Sequence, residues 1–160
     1  MKSFTITTTI ELFDSMDELP AEVKELMQAA FEARDNAYAP YSKFNVGAAM
    51  LLDNNEVITG SNQENASYPS GLCAERTAIY YAGAKYPNAV IKRIAISATS
   101  QNHEITSPIP PCGACRQAIA EYESKQNEPI EIYFMGESGK VAKSNSLKEL
   151  LPLAFDRSVL

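Results

Sequence analysis

Three cysteines carry the chemistry open to this sequence: Cys73, and the pair Cys112 and Cys115 in the run Pro111-Cys112-Gly113-Ala114-Cys115-Arg116. Both segments open a predicted helix, where amides without helical acceptors and the positive end of the dipole favour thiolate over thiol. An odd cysteine count in a chain read as cytoplasmic argues against disulfides. Two such helix ends facing each other would form a cation site, and three thiolates suit zinc. A structural zinc site takes four protein ligands whereas a catalytic one takes three and a water, so the count points to an open position. Glu75, two residues after Cys73, has no purpose in a closed site. Beside a metal-activated water a carboxylate is a proton shuttle. Two blander arrangements compete. His103, the one histidine, would close a Cys3His site from the loop before Cys112. Cys112 and Cys115 alone would read as a redox pair, which leaves Cys73 and Glu75 unexplained.

Alternating helices and strands must position these groups. A Thr-rich, strand-like lead from Thr5 to Phe13 precedes a helix that starts at Pro20, repeats Val23, Leu26, Met27, Ala30 and Phe31 at helical spacing, and ends near Asp35. Val46 to Leu52 is apolar on both alternating faces, as a strand covered on both sides should be, and Asp53-Asn54-Asn55 turns it into Val57 to Thr59. Cys73 to Ala84 predicts a helix and Val90 to Ala98 a strand. Pro110-Pro111 then leads into a helix from Cys112, followed by a strand from Ile130 to Met135 and a Gly136/Gly139 turn. This order predicts a sheet of about five strands with helices on both faces. The longest loop, Ser100 to Pro111, falls just before the cysteine pair, where a functional rim is expected.

At 160 residues with 45% hydrophobic content the chain can bury a core and predicts one compact domain. A net charge of −6 disfavours nucleic acid, which repels acidic surfaces. No apolar run approaches the ~20 residues of a bilayer span, and the start MKSFTITTTIELF lacks the apolar core of a secretory signal. A cytoplasmic location, without membrane contact, is expected.

Cys-x-Glu followed by Pro-Cys-x-x-Cys is the signature of zinc nucleobase deaminases. Beyond that pattern, the chain resembles the three-cysteine, homotetrameric type of cytidine deaminase through ARDNAYAPYSKFNVGAA (Ala33 to Ala49), NQENASY (Asn62 to Tyr68), CAERTAI (Cys73 to Ile79), PCGACRQ (Pro111 to Gln117) and ELLPLAF (Glu149 to Phe155). The blocks follow in family order over residues 25 to 155. The resemblance implies an α/β fold, a three-layer α/β/α sandwich around a mixed sheet, with residues 21–160 as the deaminase domain and 1–20 as an N-terminal extension. It implies one zinc per chain on Cys73, Cys112 and Cys115, and Glu75 as the proton shuttle. Asn62 and Glu64 would hold the ribose hydroxyls, Phe44 would pack on the base, and the backbone of Ala74 would read the pyrimidine edge. Tyr68 and Phe155 would stand at active sites completed by neighbouring subunits of a homotetramer.

Arg76 has a physical reason beyond resemblance, because zinc with three thiolates carries a net negative charge that weakens its Lewis acidity, and an Arg donating to the thiolates withdraws some of it. Arg116 reads equally well as a solvated helix residue or as a support of the metal site. Pro-Ser-Gly-Leu after Tyr68, Pro110 in place of a common Ser and Asn45 in place of a common Pro depart from the family pattern. These bear on specificity rather than on chemistry. The expected activity is deamination of cytidine and deoxycytidine, a step of pyrimidine salvage. A related deaminase of an aminonucleoside such as blasticidin S, and a non-catalytic zinc-stabilised binding module, are the alternatives.

Overall fold

The computed structural model describes residues 1–160, the side chain of Val159 apart. Among the described residues six strands form one sheet: β1 (Glu11–Phe13), β2 (Phe44–Leu52), β3 (Val57–Ser61), β4 (Ile91–Ser100), β5 (Glu131–Met135) and β6 (Val141–Ser144). Their spatial order is β1-β6-β5-β4-β2-β3. Only β4 and β5 pair in parallel, so the sheet is mixed. Four helices accompany it: α1 (Ala21–Arg34), α2 (Ala74–Lys85), α3 (Gly113–Gln126) and α4 (Leu147–Leu150).

Strand alternation explains the three layers. Ala49, Ala95, Tyr133 and Val141 point to one face and pack on Val23, Leu26, Met27 and Ala30 of α1. Their neighbours Met50, Ile94, Ile96 and Ile132 point to the other face and pack with Ala78, Ile79 and Ile119 of α2 and α3. Each of these large side chains contributes about 1.5–3 kcal/mol by leaving water. The α/β/α sandwich expected from the sequence is therefore present, with six strands in place of about five. The additional strand is β6, whose Val-Ala-Lys-Ser carries little alternation, yet the turn after β5 returns it antiparallel. The strand-like lead shortens to Glu11–Phe13, because β6 offers partners only to these three residues.

Two glycines set layer spacing. A Cβ at Gly47 would lie 2.0 Å from the Ala30 carbonyl oxygen of α1. One at Gly60 would lie 2.6 Å from the Ala74 carbonyl oxygen and 2.7 Å from the Ala78 amide of α2. With small residues on its own face, α2 thus rests almost directly on the β3 backbone.

Chain direction gathers the chemistry at one end. The C-terminal ends of β3 and β4, the start of β2 and the N-termini of α2 and α3 share one edge of the sandwich. That edge is where open α/β sheets hold ligands.

Candidate active site

Cys73 and Cys112 are the N-cap residues of α2 and α3, and Cys115 lies in the first turn of α3. The Cys73 and Cys112 sulfurs are 3.7 Å apart, and all three lie within 4.8 Å of one another. Tetrahedral zinc with thiolates at about 2.3 Å places sulfurs roughly 3.8 Å from each other, so the donor set fits that ion. Cys115 is buried, Cys73 half-buried and Cys112 exposed. His103 sits outside the cluster, on the exposed loop, with Nδ1 3.5 Å from the Ser100 hydroxyl.

Arg76 Nη2 donates to the Cys73 sulfur at 3.8 Å. Its Nε is buried with no hydrogen-bond partner among the described residues, a donor left over beside an anionic cluster. A hydrogen bond from Cys115 draws the Cys73 thiol down, against burial, with help from Arg76. The same contact and burial push Cys115 up.

Glu75 is 4% exposed. Burial raises its carboxyl above the usual range, its own amide draws it partly back, and the charge on Cys73 pushes it up again. A carboxyl so placed can hold a proton as well as release one.

Beyond the sulfurs opens a cavity of about 660 Å³. Phe44, Asn62, Glu64, Tyr68, Glu75 and Arg76 line it together with Cys73 and Cys112, so the structure brings these sequence-predicted residues to one place. Ala74 is fully buried in the first turn of α2, whose amides lack helical acceptors. Phe155 does not line the cavity of its own chain. It is 63% exposed, and its carbonyl accepts from Gln117 Nε2. The apolar wall formed by Val46, Leu72, Ile96 and Ile109 was not singled out by sequence, because each reads as plain core or loop until the register is known.

The polar rim is tightly built. Tyr38 and Gln63 bridge in parallel and Gln63 and Leu72 bridge antiparallel, so the segment 62–64 is a short ladder fixed on both sides. Asn62 Oδ1 accepts the Val46 amide at 2.8 Å and Nδ2 donates to the Phe44 carbonyl at 2.9 Å. Its amide therefore holds the start of β2, leaving one Nδ2 hydrogen for a ligand. Glu64 Oε2 accepts the amides of Tyr41 and Ser42 at 2.9 and 3.2 Å. The Ser42 hydroxyl, then these amides and nearby Lys43, hold its carboxyl below the usual range. Tyr68 is 75% exposed and packs beside Tyr41, ring centroids 6.0 Å apart.

Residues 20–127 match the family model described as the cytidine and deoxycytidylate deaminase zinc-binding region. A cytidine deaminase from Halalkalibacterium halodurans is 40% identical over 130 residues, which is 81% of this chain and 91% of that protein. One from Sporosarcina psychrophila is 37% identical over 139 residues, covering 87% of this chain and 95% of its own. The crystal structure of cytidine deaminase from Burkholderia pseudomallei superposes with a TM-score of 0.72 at 38% identity, over 86% of this chain and all of that one.

Proposed function

Because the chain belongs to the cytidine and deoxycytidylate deaminase family, we infer that it is a zinc-dependent hydrolase converting cytidine and deoxycytidine to uridine and deoxyuridine with release of ammonia. The observation that carries this reading is Glu75, buried beside three clustered cysteines at the floor of a cavity whose rim holds the Glu64 carboxylate.

Cys73, Cys112 and Cys115 hold the zinc, which when bound supplies the Lewis acidity that makes water a nucleophile near neutral pH. Glu75 would take one proton of the attacking water and carry it to N3 of the base, which readies C4 for attack. Once the C4–O bond has formed, Glu75 would take the remaining proton of the new C4 hydroxyl and deliver it to the amine as the C4–N bond breaks, leaving a C4 carbonyl, a protonated N3 and ammonia. Burial supports this role, since a desolvated carboxyl holds a proton more readily than an exposed one. Arg76 draws charge from the thiolates. Phe44 lies against the base, the Ala74 amide meets the pyrimidine edge, and Glu64 with the free Nδ2 hydrogen of Asn62 receives the sugar hydroxyls.

The finer assignments extend this reading. Residues 21–160 act as the deaminase domain and 1–20 as an extension whose β1 lengthens the sheet. The enzyme works in the cytoplasm in pyrimidine salvage, on free nucleosides and not on nucleic acid. Among the described residues no helix is long and apolar enough to cross a membrane. The exposure of Tyr68 and Phe155 supports a homotetramer with shared active sites.

One ultraviolet absorbance panel tests the substrate. Cytidine and deoxycytidine are expected to turn over and deoxycytidylate to be poor, because a carboxylate beside the sugar repels a 5′-phosphate. Turnover of blasticidin S alone would reassign the enzyme, and turnover of nothing by zinc-loaded protein would leave only a binding module.

A further inference from the structure

The three cysteines differ in how the fold holds them. Cys115 is enclosed, and Cys73 is tied down by Arg76 at its sulfur and by Thr77 Oγ1, which donates to its carbonyl at 3.1 Å. Cys112 is exposed and follows two prolines, so packing does little to fix it.

Those prolines restrict the way Cys112 can be supported. Each locks its own φ near −65° and neither has an amide hydrogen, so the stretch 110–111 offers the rest of the protein only acceptors. The remaining soft torsion ahead of Cys112 is ψ of Pro111, and its value decides where the Pro111 carbonyl points. Whatever grips that carbonyl fixes the peptide plane leading into Cys112.

Arg116 grips it. Its Nε donates to the Pro111 carbonyl at 2.8 Å and its Nη1 to the Leu150 carbonyl at 3.0 Å. Among the described residues Arg116 forms no ion pair with a carboxylate. A half-buried guanidinium spent on two backbone carbonyls 39 residues apart in sequence acts as a brace rather than as a counter-charge.

The far end of the brace is itself fixed. Buried Glu123, two turns further along α3, accepts the Ser146 hydroxyl at 2.7 Å and the Leu147 amide at 2.9 Å, and so clamps the N-terminus of α4 to α3. The C-terminal end of α4 then presents the Leu150 carbonyl, one of the unpaired carbonyls every helix leaves, to Arg116. Helix α4 thus lies antiparallel to α3, pinned at both ends.

We propose that Arg116 is a positioning residue for the metal: by holding the Pro111 carbonyl against the end of α4, it fixes the direction from which the Cys112 thiolate meets the ion. The proposal rests on the reading of the three cysteines as zinc ligands. It makes α4 part of the metal site although none of its residues lines the cavity. It also gives α3 two tasks in its first turn, supplying Cys115 and bracing Cys112.

The test uses the zinc-loaded full chain and two variants. Arg116→Lys keeps the charge but reaches one carbonyl where Arg reaches two, and Arg116→Gln removes the charge. Zinc release into excess chelator is followed with a chromogenic dye, and the cobalt(II)-substituted proteins are compared by their visible spectra. Val23→Ala, which opens a cavity on the α1 face of the sheet, serves as a control for loss of stability alone. Both Arg116 variants are expected to release zinc ~10- to 100-fold faster than the parent, the range that outer-shell supports of metal ligands carry. Their cobalt spectra should shift, and kcat should fall with KM near its parent value. Release rates and cobalt spectra like those of the parent in both variants would overturn the proposal. So would equally fast release from Val23→Ala at a matched loss of thermal stability, since the brace would then be merely structural. A parent chain that binds no zinc would overturn the cysteine reading and this proposal together.

Discussion

Glu64 Oε2 accepts the backbone amide of Tyr41 at 2.9 Å, which ties the segment after β3 to the turn before β2. The carboxylate proposed to receive the sugar hydroxyls therefore also shapes the approach to Phe44. Glu64→Gln is expected to lower kcat/KM for cytidine tenfold to a hundredfold, ~1 to 3 kcal/mol, through loss of a charge-assisted bond to a hydroxyl. Free cytosine should be a poor substrate whose turnover changes much less. An equal loss on both substrates would mean that the carboxylate only supports the turn.

Acid should expose the same residue. The Glu64 carboxyl has a folded value below the usual 4.5, so its contribution to the turn is fully present above that pH and fades as pH falls through the folded value. KM for cytidine is expected to stay flat through neutrality and rise only on the acid side, while Glu64→Gln lacks that acid limb. The pair of pH profiles decides it, and a parent profile that rises toward neutral pH would contradict the assignment.

Glu75→Gln should keep zinc and fold but lose ~10²- to 10⁴-fold in turnover, because an amide cannot carry protons between water, N3 and the leaving amine. Metal analysis beside a steady-state assay separates the two effects. Near-parent turnover would sink the mechanism.

One zinc per chain is expected. Cys112→Ala should lose most of it, whereas His103→Ala should keep both metal and activity, since the imidazole lies with Ser100 outside the sulfur cluster. Zinc loss from the histidine variant would restore a closed four-ligand site.

Sedimentation should give four chains per particle, and Phe155→Ala should raise KM without changing zinc content. A monomer fully active at assay concentration would refute shared active sites.

The parts of this molecule that were legible in the sequence are those written locally. Ala74, Ala78 and Ala82 announce a small-residue helix face, and the uninterrupted run from Val46 to Leu52 announces a strand covered on both sides. The cysteine spacing with Glu75 likewise names a chemistry from a few adjacent positions. Strand β6 was missed because four residues with a lysine carry too little pattern, and it exists through pairing with β5. That Asn62 grips the start of β2 depends on the register between β2 and β3, which no single segment encodes. Leu72 and Ile109 reach the cavity for the same kind of reason: loop position is settled by what the loops cross. The grip of Arg116 joins residues 34 apart on one side, and its helical spacing fits a solvated residue equally well.

Gly60 acts as a gauge block between β3 and α2. The hydrogen it carries in place of a side chain sets the seating height of the helix that holds Cys73 and Glu75, so the smallest possible addition there, one methyl group, would lift both together relative to Cys112 and Cys115. A change with no charge, no polarity and no contact with substrate would then detune a metal cluster from behind. Variation at this position should accordingly lower metal content together with stability, since the added carbon must displace helix backbone.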